Sequence, residues 1–123
     1  MITLLVICNS ALAGVKEGRK VKRVNADLAL LAGALERYKM LAGNFPTTEQ
    51  GLNALVDKPE VVPRPRRWIQ MFRKKPLDPW GREYEYKLHK GKFQLWSLGE
   101  DAKDKQDDIP YVPPKVDQPA HDR

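Results

Sequence analysis

Three features of the sequence predict an α+β fold. Apolar residues recur at helical spacing through the first third of the chain, the pattern changes to two-residue alternation after Leu77, and turn-forming clusters separate the two regimes. The expected architecture is a long N-terminal α-helix packed against a small antiparallel β-sheet, with a loop-rich C-terminal region. A chain of 123 residues has room for one small domain with a modest core. It divides into an apolar N-terminal segment (1–15), a globular domain that includes the long helix (16–109), and a Pro-rich tail (110–123), expected to be extended or disordered.

The segment Met1 to Gly14, MITLLVICNSALAG, is uncharged and mostly apolar. Crossing a bilayer as a helix takes about 20 such residues, so this stretch is short for the task. Ala11-Leu12-Ala13 is similar to a signal-peptide cleavage site, although no basic residue precedes the apolar run. The buried start of an amphipathic helix is a second reading. A third is a membrane helix whose first turns precede Met1. The residues that follow favour the third. Lys16, Glu17, Arg19, Lys20, Lys22 and Arg23 continue with no Pro and no turn cluster before Gly43. A helix can therefore run on, and a basic collar beside an apolar end suits anionic headgroups.

Val21, Val24, Leu28, Leu31, Leu35 and Tyr38 recur every three or four residues and form one apolar helix face. Lys22, Arg23, Asn25, Asp27, Glu36, Arg37 and Lys39 fall between them and are expected in solvent. Gly43 can take the left-handed conformation that ends a helix. From Val15 to Ala42 the helix would be roughly 40 Å long. Its stripe lies on the C-terminal half, so that half should pack on the domain and the other half protrude.

Thr47 and Gln50 form a capping-box pattern ahead of a second helix, with Leu52, Leu55 and Val56 on its buried side and its end by Lys58, before Pro59. A Pro- and Arg-rich loop follows to Arg67, then Trp68, Ile69, Met71 and Phe72 offer apolar contacts among basic residues. Asp78-Pro79-Trp80-Gly81 is a turn signal. Arg82 to Leu88 alternates, with Tyr84, Tyr86 and Leu88 on one face; His89 to Lys92 turns, and Phe93 to Leu98 returns. Two strands alone are marginal, so this hairpin must lean on the long helix.

The net charge is +6 and its positive part concentrates in Lys16–Arg23 and Arg64–Lys75. Neither stretch carries the Gly-flanked aromatics that stack on bases, so nucleic acid is not an expected partner. A single cysteine, Cys8, precludes an intramolecular disulfide. His89 and His121 have no metal-ligand spacing, and neither a nucleophile constellation nor a glycine-rich phosphate loop is present. The chain is not expected to be an enzyme.

One cluster remains. Glu100, Asp101, Asp104, Asp107 and Asp108 crowd a loop after the second strand. Calcium takes six to eight oxygens from carboxylates and carbonyls, which a flexible loop can supply. A solvated acidic loop balanced by Lys103 and Lys105 explains the same residues, and no EF-hand pattern is present.

Tyr38-Lys39 followed by Gly43-Asn44-Phe45-Pro46-Thr47-Thr48-Glu49-Gln50-Gly51-Leu52 closely resembles the major pseudopilin family of type II secretion. Lys75-Pro76-Leu77-Asp78-Pro79-Trp80-Gly81-Arg82-Glu83-Tyr84 is similar to the family's second signature, and Ser97-Leu98-Gly99-Glu100-Asp101 with Asp107-Asp108-Ile109 to its third. The resemblance implies a structural subunit held in the inner membrane by its N-terminal helix, with its globular part in the periplasm. Such subunits polymerise into a helical filament with copies of themselves and other pseudopilins, on an inner-membrane assembly platform, and drive folded proteins across the outer membrane. It also implies a structural Ca2+ in the acidic loop, held by Asp101, the Leu98 carbonyl, Asp107 and Asp108; Asp104 has no family counterpart. The Phe and early Glu with which the family's mature helix opens are not found ahead of the basic collar. Alternatives are a minor pseudopilin or type IV pilin-like subunit, and a stand-alone periplasmic binding module. The collar and the acidic loop, opposite in sign, are expected to pair between neighbouring subunits.

Overall fold

The computed structural model describes residues 2–115, with side chains from Gly18 onward. Helix α1 runs Ile2–Ala42, 41 residues without a break. At 1.5 Å per residue it is about 60 Å long. It therefore begins well before Val15, and the apolar segment and basic collar share one helix. Among the described residues no helix is long and apolar enough to cross a membrane.

The domain packs on the C-terminal half of α1. Val24, Leu28, Leu31 and Leu35 are fully buried, joined by Ala32, Tyr38 and Ala42. Burying each large side chain contributes about 2 kcal/mol. Val21 departs from the expected stripe at 37% exposed. It lies one turn beyond the reach of the core, so the buried face starts at Val24. Gly43, at φ +99, ends the helix and its N–H donates to the Lys39 carbonyl at 2.8 Å. The Leu41 and Ala42 carbonyls, orphaned at a helix end, accept from Arg67 and Arg66 N–H at 3.1 and 3.2 Å. The Arg-rich loop is thus pinned to the C-terminal end of α1.

The capping box forms as predicted. Gln50 N–H donates to Thr47 Oγ1, and Thr47 N–H to Gln50 Oε1, both at 3.0 Å. The second helix, however, is a 3-10 helix of five residues, Gly51–Leu55. Tertiary partners claim its carbonyls. Leu55 O accepts from Met71 and Phe72 N–H, and Ala54 O accepts from Trp68 Nε1 at 2.7 Å. The segment buries Leu52, Ala54 and Leu55 without extending into α-helical turns.

The sheet has three antiparallel strands in the order β1 (Glu85–His89), β2 (Lys92–Ser97), β3 (Ile109–Pro110). The hairpin pairs His89 with Lys92 and Glu85 with Trp96. Positive φ at Lys90 and Gly91 gives the two-residue turn whose twist matches the strands. Tyr84 and Tyr86 are buried, Leu88 half-buried and Lys87 exposed, so the alternation holds. β1 starts at Glu85 and not at Arg82, because the Arg82 carbonyl is taken by Asp78 N–H in the preceding turn at 2.8 Å. Ile109 and Pro110 add a third strand against Ser97 and Trp96, and Tyr111 N–H donates to Leu95 O at 2.8 Å. The rings of Tyr111 and Phe93 stack at 6.3 Å. These contacts lay the start of the Pro-rich segment along β2. Its later part, with His121, lies outside the described residues, as do the side chains of the apolar segment and Cys8.

Candidate functional site

The turn at Asp78 organises one end of the domain. Asp78 is 2% exposed; its Oδ1 accepts from Trp80 N–H at 3.0 Å and Arg82 N–H at 2.9 Å. Its Oδ2 accepts from the fully buried Ser97 hydroxyl at 2.8 Å, and Ser97 Oγ in turn accepts from Gly99 N–H. A buried carboxylate is tolerable when its lone pairs are used in this way. Arg82 completes the link: its Nη1 donates to Gly99 O at 2.6 Å, and both Nη atoms donate to Glu100 O at 3.1 Å. The Asp-Pro-Trp-Gly turn and the start of the acidic loop are therefore one hydrogen-bonded unit.

This end of the domain faces the N-terminal part of the packed helix. Arg23 Nη2 donates to Leu77 O at 2.9 Å, and Arg23 pairs with Asp27 at 3.7 Å. Lys20 Nζ lies over the Trp80 ring, 5.7 Å from its centre, while Trp80 Nε1 is buried without a partner. Asp27 does more than face solvent, because Tyr84 donates its hydroxyl to Asp27 Oδ2 at 2.6 Å. Burial first, then that bond and the nearby carboxylate charges, push the Tyr84 phenol above its usual range. Burial does the same to Tyr86, whose hydroxyl donates to Pro46 O at 2.6 Å.

The acidic loop closes on itself. Asp101 N–H donates to Asp107 Oδ2, Lys103 N–H to Asp101 Oδ1 and Gln106 N–H to Asp104 Oδ1, each at 3.0 Å. Gly99, at φ +73, lies so close to Asp107 that a Cβ would sit 2.2 Å from its carbonyl oxygen. Of the four sequence-predicted ligands, Asp101 and Asp107 are brought together through the Asp101 N–H, with Gly99 against Asp107. Asp108 instead lines a groove of about 980 Å3 between α1 and β2, walled by Ala29, Gly33, Phe93, Tyr111 and Pro113. Among the described residues no three Asp, Glu, His or Cys side chains gather as a metal cage. The side-chain donors of the loop are oxygens, the kind that suits a hard cation.

The basic collar and the acidic loop lie at the same end of the domain, because Lys20 and Arg23 flank the turn that Arg82 ties to Glu100. Pairing between neighbours through these two would have to be lateral. Sequence reasoning read Asp78 only as a turn former and missed Arg82 and Ser97. Ser97 carried a signal, since it falls in phase with Phe93 and Leu95 on an inward face, where a polar residue needs a partner. Arg82 carried none, because its acceptors are backbone atoms 17 and 18 residues away.

Comparison with known proteins places this arrangement. A profile of the type II secretion system (T2SS) protein G family matches residues 11–110. The type II secretion system core protein G of Pseudomonas aeruginosa is 43% identical over 89 residues, covering 69% of this chain and 63% of that protein. The core protein G of Dickeya chrysanthemi is 40% identical over 114 residues, covering 89% and 73%. The crystal structure of the major pseudopilin from the type 2 secretion system of enterohaemorrhagic Escherichia coli superposes with a TM-score of 0.73 at 38% identity, covering 80% of this chain and 91% of that one.

Proposed function

The chain belongs to the type II secretion system protein G family, and from that premise we propose that it is the major, polymerising subunit of a pseudopilus, with a calcium-stabilised acidic loop. One observation carries the polymer. Helix α1 outruns its domain: among the described side chains buried positions begin at Val24 and Gly18 to Arg23 are exposed, while the helix continues back to Ile2. The described core of a single subunit packs on the C-terminal half of this helix. Copies that bundle their helices cover the rest, and head-to-tail contacts that do not close give a helical filament. The apolar residues of the segment 2–14 suit anchorage in the inner membrane, with the domain on the periplasmic side. Subunit polymerisation then supplies the push that moves folded proteins across the outer membrane.

In this reading Asp101, Asp107 and the Leu98 carbonyl would hold the ion, without Asp108, which lines the groove between α1 and β2. The ion's contribution is to neutralise the carboxylates of a loop crowded with like charge. The chain's own part is to present the loop: Arg82 and Ser97 fix its entry at Gly99, and the Gly99–Asp107 contact closes it. The buried Asp78 and Ser97 are used in holding the turn and the loop entry, in keeping with a structural role.

Deletion of the gene in its own host tests the role. Exported enzymes should accumulate in the periplasm and return to the medium on complementation with the complete reading frame. Undiminished export after deletion would sink the proposal.

A further inference from the structure

The two strongest concentrations of charge in the domain sit at opposite ends of the packed half of α1. Arg66 and Arg67 are bound through their backbone to Ala42 and Leu41, at the C-terminal end. The acidic loop is bound through Arg82 to the turn beside Lys20, Arg23 and Asp27. At 1.5 Å per residue these positions are about 25 Å apart along the helix.

The distal patch comprises exposed Arg64, Arg66 and Arg67 beside Val61 and Val62, which are 63% and 78% exposed. No acid occurs between Val61 and Leu77. Among the described residues Arg64, Arg66 and Arg67 make no ion pair, nor do Glu100, Asp101, Asp104, Asp107 and Asp108. The collar is differently placed, since Arg23 is already committed to Asp27 and the Leu77 carbonyl, and Lys20 to the Trp80 face.

We infer that the Arg64–Arg67 end of one subunit docks the exposed acidic loop of a second copy stacked on it along the helix axis. The inference rests on the filament reading and names its axial contact. The two patches have opposite sign, are each without an ion pair among the described residues, and lie at opposite ends of one rigid rod. A contact between them is heterologous and does not close, which is the geometry of a polymer. Complementary patches of this kind set register and orientation. An anionic membrane is the other partner of matching chemistry, but the patch lies at the end of α1 remote from its apolar segment.

The test uses the complete chain in cells that make the rest of the apparatus, in a Cys8→Ala background. Arg67→Cys and Glu100→Cys on the same chain, treated with a short bis-maleimide, should give a ladder of multimers, whereas a two-fold contact would stop at the dimer. Reversal of Arg64 and Arg66 to Glu, or of Glu100 and Asp104 to Lys, leaves the calcium carboxylates Asp101 and Asp107 in place. Read through a cysteine pair at Arg67 and Gln106 where Glu100 is reversed, either reversal should cut the ladder roughly tenfold, and the combined reversal should restore it. Ladders indifferent to all reversals, or linking that ends at dimers, would overturn the contact. Leu30→Cys, on an exposed α1 position, reports association by any route. If it links while the Arg67–Glu100 pair does not, the axial contact fails and the filament stands. If it too stays monomeric, the filament reading fails with it.

Discussion

Two aspartate-led segments lie side by side in this domain, and burial separates their roles. Asp78 is almost completely enclosed, and three donors from Trp80, Arg82 and Ser97 use its carboxylate. Asp101, Asp104 and Asp107 also accept backbone N–H groups, but only from within their own loop, and Glu100 to Gln106 are exposed. A buried carboxylate with its partners in place is a rigid joint whose loss leaves donors without water or protein to receive them. An exposed cluster of carboxylates gains little from its internal bonds and retains oxygens free to meet a cation or a partner. Arg82 connects the two segments, so the rigid one presents the adaptable one.

The largest effect expected from this contrast is that of Asp78→Ala. It should cost about 4 kcal/mol, because it strands the Ser97 hydroxyl and two N–H groups in a dry site. Urea denaturation reads the loss; a variant within 1 kcal/mol of the parent, on the order of an ordinary surface change, would break the contrast. Asp101→Ala should by itself be nearly neutral without added metal.

Next in size are the glycines. Gly99→Ala should destabilise by about 3 kcal/mol, since a Cβ there meets Asp107 O at 2.2 Å in addition to its positive φ. Gly81, at φ +81 but with open space around its Cβ position, should cost only about 1 kcal/mol as Ala. Equal costs at the two positions would mean that the loop moves freely away from Gly99.

The most conditional effect is that of calcium. Free ion at a hundred times its dissociation constant would stabilise the parent by about 2.7 kcal/mol. Thermal melts with calcium, magnesium and chelator should show a calcium-specific rise that Asp101→Ala abolishes and Asp104→Ala keeps. Melts that respond equally to both cations would reduce the loop to a screened charged surface.

How much of this was legible in the sequence depends on the range of the interactions. Short-range chemistry sufficed for the α1 stripe from Val24 to Tyr38, the Gly43 stop, the Thr47–Gln50 capping box, the Lys90-Gly91 turn and the inward tyrosines. Each follows from spacing within a few residues, or from a backbone angle that glycine favours. The family, and with it the type II secretion role, was legible in the three signature blocks.

Tertiary structure decided what short spacing could not. Leu55 and Ala54 carbonyls turned toward Phe72 and Trp68 hold the Gly51–Leu55 segment as a 3-10 helix, although its capping box is the kind that opens an α-helix. Ile109 and Pro110 form a strand because β2 offers them a free edge at Ser97 and Trp96. Asp78, Ser97 and Arg82 become one network, and Asp108 lines the groove between α1 and β2, because the packed sheet brings distant segments together. The sequence by itself determined the long helix, the hairpin, their order and their charge. Which carboxylates are buried joints, and which stand at opposite ends from the arginines, was set by long-range packing, whose pairings leave no periodic trace in the chain.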